Sequence, residues 1–195
     1  MPPSVPDSIL AVLSALGKRQ AVPAGTGLFH RGDRPGKFFW VLEGELHLVR
    51  FTSNGDGVVL QRCRLGPFAE ASLFSERYHC DGVAVADTTL IAVPRAAFFR
   101  TFSDPEFALA YVQCLSGTVR ELRSGCERLT LRRASSRIEH YLEEHGGFDC
   151  RPGQGSLKDW ASQLGLSHES LYRTLAALET AGRIVREAGS VRLAE

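Results

Sequence analysis

No apolar run in this chain approaches the ~18 residues that a bilayer-spanning helix needs. No two of its five cysteines stand at a CxxC or other zinc-type spacing. Cys63, Cys80, Cys114, Cys126 and Cys150 are widely scattered and odd in number, which reads as reduced, mostly buried thiols. Neither sign of charge dominates: the formal net charge is +1 and 23% of residues are charged, values that do not suggest disorder. The GxSxG, P-loop and GxGxxG signatures are missing, and no serine has a local base. A cupin-like metal enzyme would need clustered ligands, commonly His-x-His followed by Glu. His30, His47 and His79 instead stand singly and far apart, so the expected class is not an enzyme and no metal site is expected. Met1 to Ser8 carries neither a basic segment nor a signal-peptide core, so the expected location is the cytoplasm, with no membrane partner.

The chain's 195 residues allow one large domain or two small ones. Asp7 to Leu16 reads as a short helix ended by Gly17. From Arg19 to Val93 glycines punctuate short β-rich runs: Phe38 to Leu42, Leu46 to Val49, Val58 to Leu60, Val83 to Val85 and Leu90 to Val93. Asn54-Gly55-Asp56-Gly57 is a hairpin turn between two of them. Many short strands at regular spacing imply a sandwich, roll or barrel. Pro94-Arg95 then opens a short helix, and Ser103-Asp104-Pro105-Glu106 starts a long one reaching about Arg133. Tyr111, Leu115, Thr118, Leu122, Gly125 and Leu129 follow one another in alternating steps of four and three, the seam of a coiled coil. Such a helix either packs on its own domain or pairs with a second copy. The pairing is preferred here, because so long a helix has little domain behind it to cover it.

After Ala134-Ser135-Ser136 a further helix runs to about His145, ended by Gly146-Gly147, and Asp149 to Gly155 reads as a loop. Ser156 can cap Leu157 to Leu164. Gly165 breaks that helix, and Ser167 caps a second one over His168 to Thr180, whose buried stripe is Leu171, Leu175 and Leu178. Two helices joined by a tight glycine turn form a helix-turn-helix. Its second helix would present Ser167, His168, Glu169, Ser170 and Arg173 to a major groove. Arg173 suits guanine, Glu169 suits cytosine, and the serines suit phosphates. Ile184 to Leu193 reads as a β-hairpin, which makes the module winged. From Ala134 onward there are seven basic and nine acidic residues, an acidic balance unusual for a DNA binder. Arg128, Arg132 and Arg133 at the hinge are expected to add phosphate contacts.

This order resembles the CRP/FNR family of bacterial regulators over nearly the whole chain. Phe38 to Leu46 is similar to the family's aromatic strand, glycine turn and next strand. Gly66 to Phe74 is similar to its phosphate-cassette entrance, and Ser167 to Arg173 to its recognition helix, with His168 departing from the pattern. The resemblance implies an α+β chain: a jelly-roll-like β-roll over residues 1–104, a dimerisation helix over 105–133 and a winged helix-turn-helix over 134–195. It also implies a homodimer on near-palindromic double-stranded DNA, with RNA polymerase as a further partner. The effector pocket would be built from Glu70, Ser72, Arg77, Cys80, Asp81 and Arg123. Where family members that bind cyclic AMP carry an Arg-Ser pair, this chain has Cys80-Asp81. Where they carry an adenine-contacting Thr-Ser pair, it has Leu122-Arg123. Asp81 would repel a phosphate, so cyclic AMP is not the expected effector. No cysteine precedes Cys63, which argues against the family's iron–sulfur cluster. No cofactor is expected. The alternatives are a haem held by His79 and Cys80 or by His30 and His47, a redox thiol at Cys80 activated by Arg77 and His79, and a regulator without any small ligand.

Overall fold

The computed structural model describes residues 7–52, 57–150, 156–187 and 189–194. By internal packing the chain divides between Gln113 and Cys114 into two compact units. The point of division lies inside the long helix α3 (Pro105–Thr130).

The first unit is a roll of two four-stranded antiparallel sheets. Helix α1 (Asp7–Leu16) leads into β1 (Lys18–Val22), β2 (Gly27–Phe29), β3 (Lys37–Glu43), β4 (Leu46–Phe51), β5 (Gly57–Cys63), β6 (Gly66–Phe68), β7 (Asp81–Ala84) and β8 (Thr88–Pro94). One sheet runs β1-β8-β3-β6 and the other β2-β7-β4-β5. The expected turn between β4 and β5 falls largely outside the described residues, but the two strands do pair antiparallel. Strand β3 reads as one continuous apolar run because both of its faces are covered. Phe39 and Val41 join Phe29, Leu46, Phe68 and Leu90 inside the roll. Phe38 and Trp40 point to the other side, where Phe38 stacks on Phe98 of α2 (Arg95–Arg100) at 3.9 Å. Gly44 shapes the turn after β3 at φ +96°, and a Cβ there would lie 2.4 Å from the Asp87 carbonyl oxygen. Only glycine fits that approach.

The aromatic layer outside β3 corrects the expected seam of α3. Tyr111 is buried against Phe38, Phe98, Phe102 and Phe107, so it packs within its own unit and is closed to a second copy. Beyond Leu109, the exposed large apolar residues of α3 are Val112, Val119, Leu122 and Leu129, with exposed Cys126 between the last two. With half-buried Leu115 they follow the same steps of three and four, one residue later at every other position. Leu115, Leu122 and Leu129 belong to both registers. Exposed Val112, Val119 and Cys126 each stand one residue after Tyr111, Thr118 and Gly125, of which burial removes Tyr111. Thr118 is half-buried and donates to the Cys114 carbonyl, while nothing lies within 4 Å of a Cβ built on Gly125. The helix stops at Thr130, short of Arg133.

The second unit adds α4 (Ala134–His145), β9 (Phe148–Asp149), α5 (Leu157–Gln163), α6 (His168–Thr180), β10 (Ile184–Glu187) and β11 (Ser190–Leu193). The last two strands form the expected hairpin, and β9 extends it to a three-stranded sheet. The core joins Ile138, Leu142, Phe148, Trp160, Leu171, Leu175, Leu178 and Val191. Burying each of the three α6 leucines contributes about 1.5–3 kcal/mol. Phe148 stacks on Trp160 at 4.2 Å, which fixes the hairpin side of the module to α5.

Candidate nucleic-acid interface and effector pocket

Side-chain caps set both helices of the helix-turn-helix. Ser156 Oγ accepts from the Asp159 N–H at 3.0 Å and opens α5. Ser167 Oγ accepts from the Ser170 N–H at 3.1 Å and opens α6. Between them Gly165 takes φ +62°, and the Leu166 N–H donates back to the Ala161 carbonyl at 2.9 Å. With Leu171, Leu175 and Leu178 anchored in the core, the N-terminal turn of α6 holds Ser167, His168, Glu169 and Arg173 in solvent and Ser170 half-buried. Four of the five expected reading residues are therefore presented together, and the fifth sits beneath them. Sequence reasoning missed Tyr172, an exposed aromatic on the same turn whose ring meets that of His168 at 4.6 Å. Its position four residues after His168 was the available signal.

The acidic balance of the module resolves into local pairs. Glu139 binds Arg183 at 2.8 Å, Glu179 binds Arg186 at 3.5 Å and Glu187 binds Arg192 at 3.2 Å. Arg128, expected to meet phosphate, is instead buried. It donates to Glu144 at 2.8 Å and lies over the Tyr141 ring. Burial pushes the Glu144 carboxyl up, but the hydrogen bonds from Ser124 and Arg128 outweigh that and hold it below its usual range. Arg132, Arg133 and Arg173 remain exposed. Among the described residues the Arg173 guanidinium has no acidic partner, so it is available to an external acceptor.

Arg137 was also missed. Its guanidinium donates to the carbonyls of Leu131 (2.7 Å), Leu129 (3.2 Å), Leu164 (3.1 Å) and Gly165 (3.1 Å). One side chain thus ties the end of α3 to the turn of the helix-turn-helix, satisfying carbonyls that a helix end leaves open. A residue that works through backbone acceptors leaves no motif in a sequence.

The expected effector residues are only partly brought together. Glu70 starts a one-turn 3-10 helix, Glu70–Phe74, and accepts a long bond from Gln61 at 3.4 Å, with Ser72 buried beside it. Cys80 is buried, which pushes its thiol up. Nearby Arg50 opposes this and Asp81 adds to it. This corrects the expectation of a thiol activated by Arg77 and His79. Asp81 accepts from the Arg31 N–H at 2.9 Å and pairs with His30 at 3.3 Å, so a carboxylate stands where the family's cyclic phosphate would need donors. These residues do not fit a cyclic nucleotide phosphate. Arg77 lies apart, donating to the Gly32 carbonyl at 2.7 Å, and Arg123 is an exposed residue of α3 in the other unit. The candidate haem ligands are engaged elsewhere: His47 with Glu45 at 2.7 Å and His79 with Ser75 at 3.2 Å. Among the described residues no group of three or more His, Cys, Asp or Glu could hold a metal ion.

The roll, the long helix and the winged helix-turn-helix together make the fold seen in solved transcription regulators. A family model for the cyclic nucleotide-binding domain matches residues 19–104. Over 189 residues the chain is 27% identical to the nitrogen fixation regulation protein FixK of Bradyrhizobium diazoefficiens, covering 91% of this chain and 78% of that protein. FixK2 of Bradyrhizobium japonicum superposes with a TM-score of 0.69 at 19% identity, covering 92% of this chain and 93% of that one. A CooA mutant from Carboxydothermus hydrogenoformans gives 0.76 at 16% identity, covering 100% and 93%. The c-di-GMP responsive global regulator CLP of Xanthomonas campestris gives 0.67 at 20% identity, covering 97% and 100%. The chain is thus similar in sequence to FixK and shares the fold of solved CRP/FNR-type regulators.

Proposed function

We propose that this regulator acts as a homodimer, pairing through Val112, Leu115, Val119, Leu122, Cys126 and Leu129, and reads a near-palindromic duplex with two copies of α6. Arg173 supplies bidentate donors to guanine, and Glu169 accepts from cytosine. His168 and Tyr172 offer apolar edges, and Ser167 and Ser170 meet phosphates. The observation that carries this reading is the capped, exposed first turn of α6 over its anchored leucine stripe. RNA polymerase and a cytoplasmic setting follow from the regulator class. Operation without cyclic AMP is supported by Asp81 in the cassette. Operation without haem is supported by the engaged rings of His47 and His79.

Selection of bound sequences from random duplex DNA, followed by fluorescence anisotropy on the selected site, tests the proposal. Arg173→Ala should weaken binding by about 5–150-fold and relax specificity at one base pair per half-site. Unchanged retention by Arg173→Ala would remove α6 as the reading element.

A further inference from the structure

The roll carries an open cavity on its surface. It has a volume of about 630 Å3 and is lined by Arg31, Gly32, Arg50, Glu76, Arg77, Tyr78 and His79. Of the six effector residues expected from sequence, Arg77 alone lines it. Three arginines around one cavity stand out in a chain whose net charge is +1.

The floor is stitched in place. The Gly32 N–H donates to the Tyr78 carbonyl, and the Tyr78 N–H donates to the Asp33 carbonyl, each at 2.9 Å. The Arg77 guanidinium donates to the Gly32 carbonyl at 2.7 Å, which fixes that side chain across the cavity. Tyr78 is itself locked by stacking on Phe29 at 3.6 Å. The walls hold unspent donors: among the described residues the guanidiniums of Arg31 and Arg50 make no hydrogen bond or ion pair. Among the described residues two nearby acids are engaged by hydrogen bonds. Asp81 accepts from the Arg31 N–H and pairs with His30, and Asp33 accepts from the His30 N–H. Glu76 is the one carboxylate in the lining, so the lining carries more positive than negative charge.

We propose that this cavity binds a small phosphate-bearing metabolite, with its phosphate oxygens on Arg31, Arg50 and Arg77 and a hydroxyl of the ligand on Glu76. Planar guanidiniums match phosphate oxygens in pairs, and the volume lies in the range of small-molecule sites. The cationic groups that the cassette lacks at Cys80 and Asp81 are supplied here by β4, by the loop after β2 and by the segment before β7. The proposal concerns ligand binding by the roll and stands whether or not the full chain retains DNA.

Isothermal titration of the full chain tests it, with pyrophosphate and ribose 5-phosphate as probes and cyclic AMP as the arm for the cassette interior. Saturable one-to-one binding of at least one of the two probes is expected. Arg31→Gln and Arg50→Gln should each weaken it by about tenfold or more, and Glu70→Gln should leave it within about twofold. No saturable binding of either probe would overturn the proposal. So would binding untouched by Arg31→Gln and Arg50→Gln, or abolished by Glu70→Gln. Circular dichroism of each variant separates loss of ligand from loss of fold, and anisotropy on the selected duplex scores DNA reading independently.

Discussion

Leu122→Ala should weaken the dimer by about 30–150-fold. A leucine taken from full exposure to full burial contributes about 1.5–3 kcal/mol. Leu122 keeps 60% of its surface open, so covering it with a partner helix is worth about 1–2 kcal/mol. A two-fold seam contains it twice. Alanine retains only the Cβ, so the substitution should cost about 2–3 kcal/mol per dimer, and about 1.4 kcal/mol is a factor of ten. Sedimentation velocity across a dilution series measures the change directly. The register is tested by a matched pair on the next turn: Val119→Ala should weaken the dimer, and Thr118→Ala should leave it within about threefold. An unchanged dissociation constant for Leu122→Ala would refute the seam. Interchanged effects of Val119→Ala and Thr118→Ala would refute the register and restore the one expected from sequence.

Cys126 lies in the same register and provides a native probe. The thiol oxidant diamide should yield a dimer on non-reducing gels that Cys126→Ser abolishes and Cys114→Ser does not, and a dimer persisting in Cys126→Ser would place another thiol on the seam. Gly165→Ala should destabilise the second unit by about 2 kcal/mol, because its left-handed backbone disfavours a side chain and the new Cβ would lie 2.8 Å from Leu129 and 3.0 Å from Arg137. Denaturation followed by Trp160 fluorescence measures it, and wild-type stability would contradict the steric argument. Burial pushes the Glu45 carboxyl up, but hydrogen bonds from His47 and Arg64 outweigh this and leave it below the usual carboxylate range. Its contribution is therefore present above the unfolded value near 4.5 and is lost as pH falls through the lower folded one. Glu45→Gln should flatten the acid limb of the pH–stability curve, and an unaltered limb would show that the pair contributes nothing.

Local chemistry was readable wherever caps and periods act within one element. The bounds of α1 and α6, the end of α4 and the terminal hairpin all follow from Pro, Gly and Ser positions beside apolar stripes. The seam register was not readable. Leu115, Leu122 and Leu129 serve two registers equally, and what separates the registers is the burial of Tyr111 against Phe38 and Phe98 on the outer side of β3. Strand β1 was missed because Lys18-Arg19-Gln20-Ala21-Val22 is mostly exposed and shows little apolar alternation. Strand β6 was missed because Gly66-Pro67-Phe68 is short, wholly buried and contains a proline at the sheet edge. The first turn of α6 was legible because exposure on a capped helix is a matter of phase. The burial of Arg128, the reach of Arg137 and the gathering of Arg31, Arg50 and Arg77 are tertiary facts without a local pattern.

Strand β3 works as a partition with furniture against both sides. Phe39 and Val41 lean into the chamber of the roll, and Phe38 and Trp40 lean outward toward the aromatic layer that holds Tyr111. Alternate residues of one pleated ribbon cannot be shifted independently. A bulkier group forced against Phe39 must therefore be felt by the ring of Tyr111, at the root of the long helix, with no loop needed to carry the message.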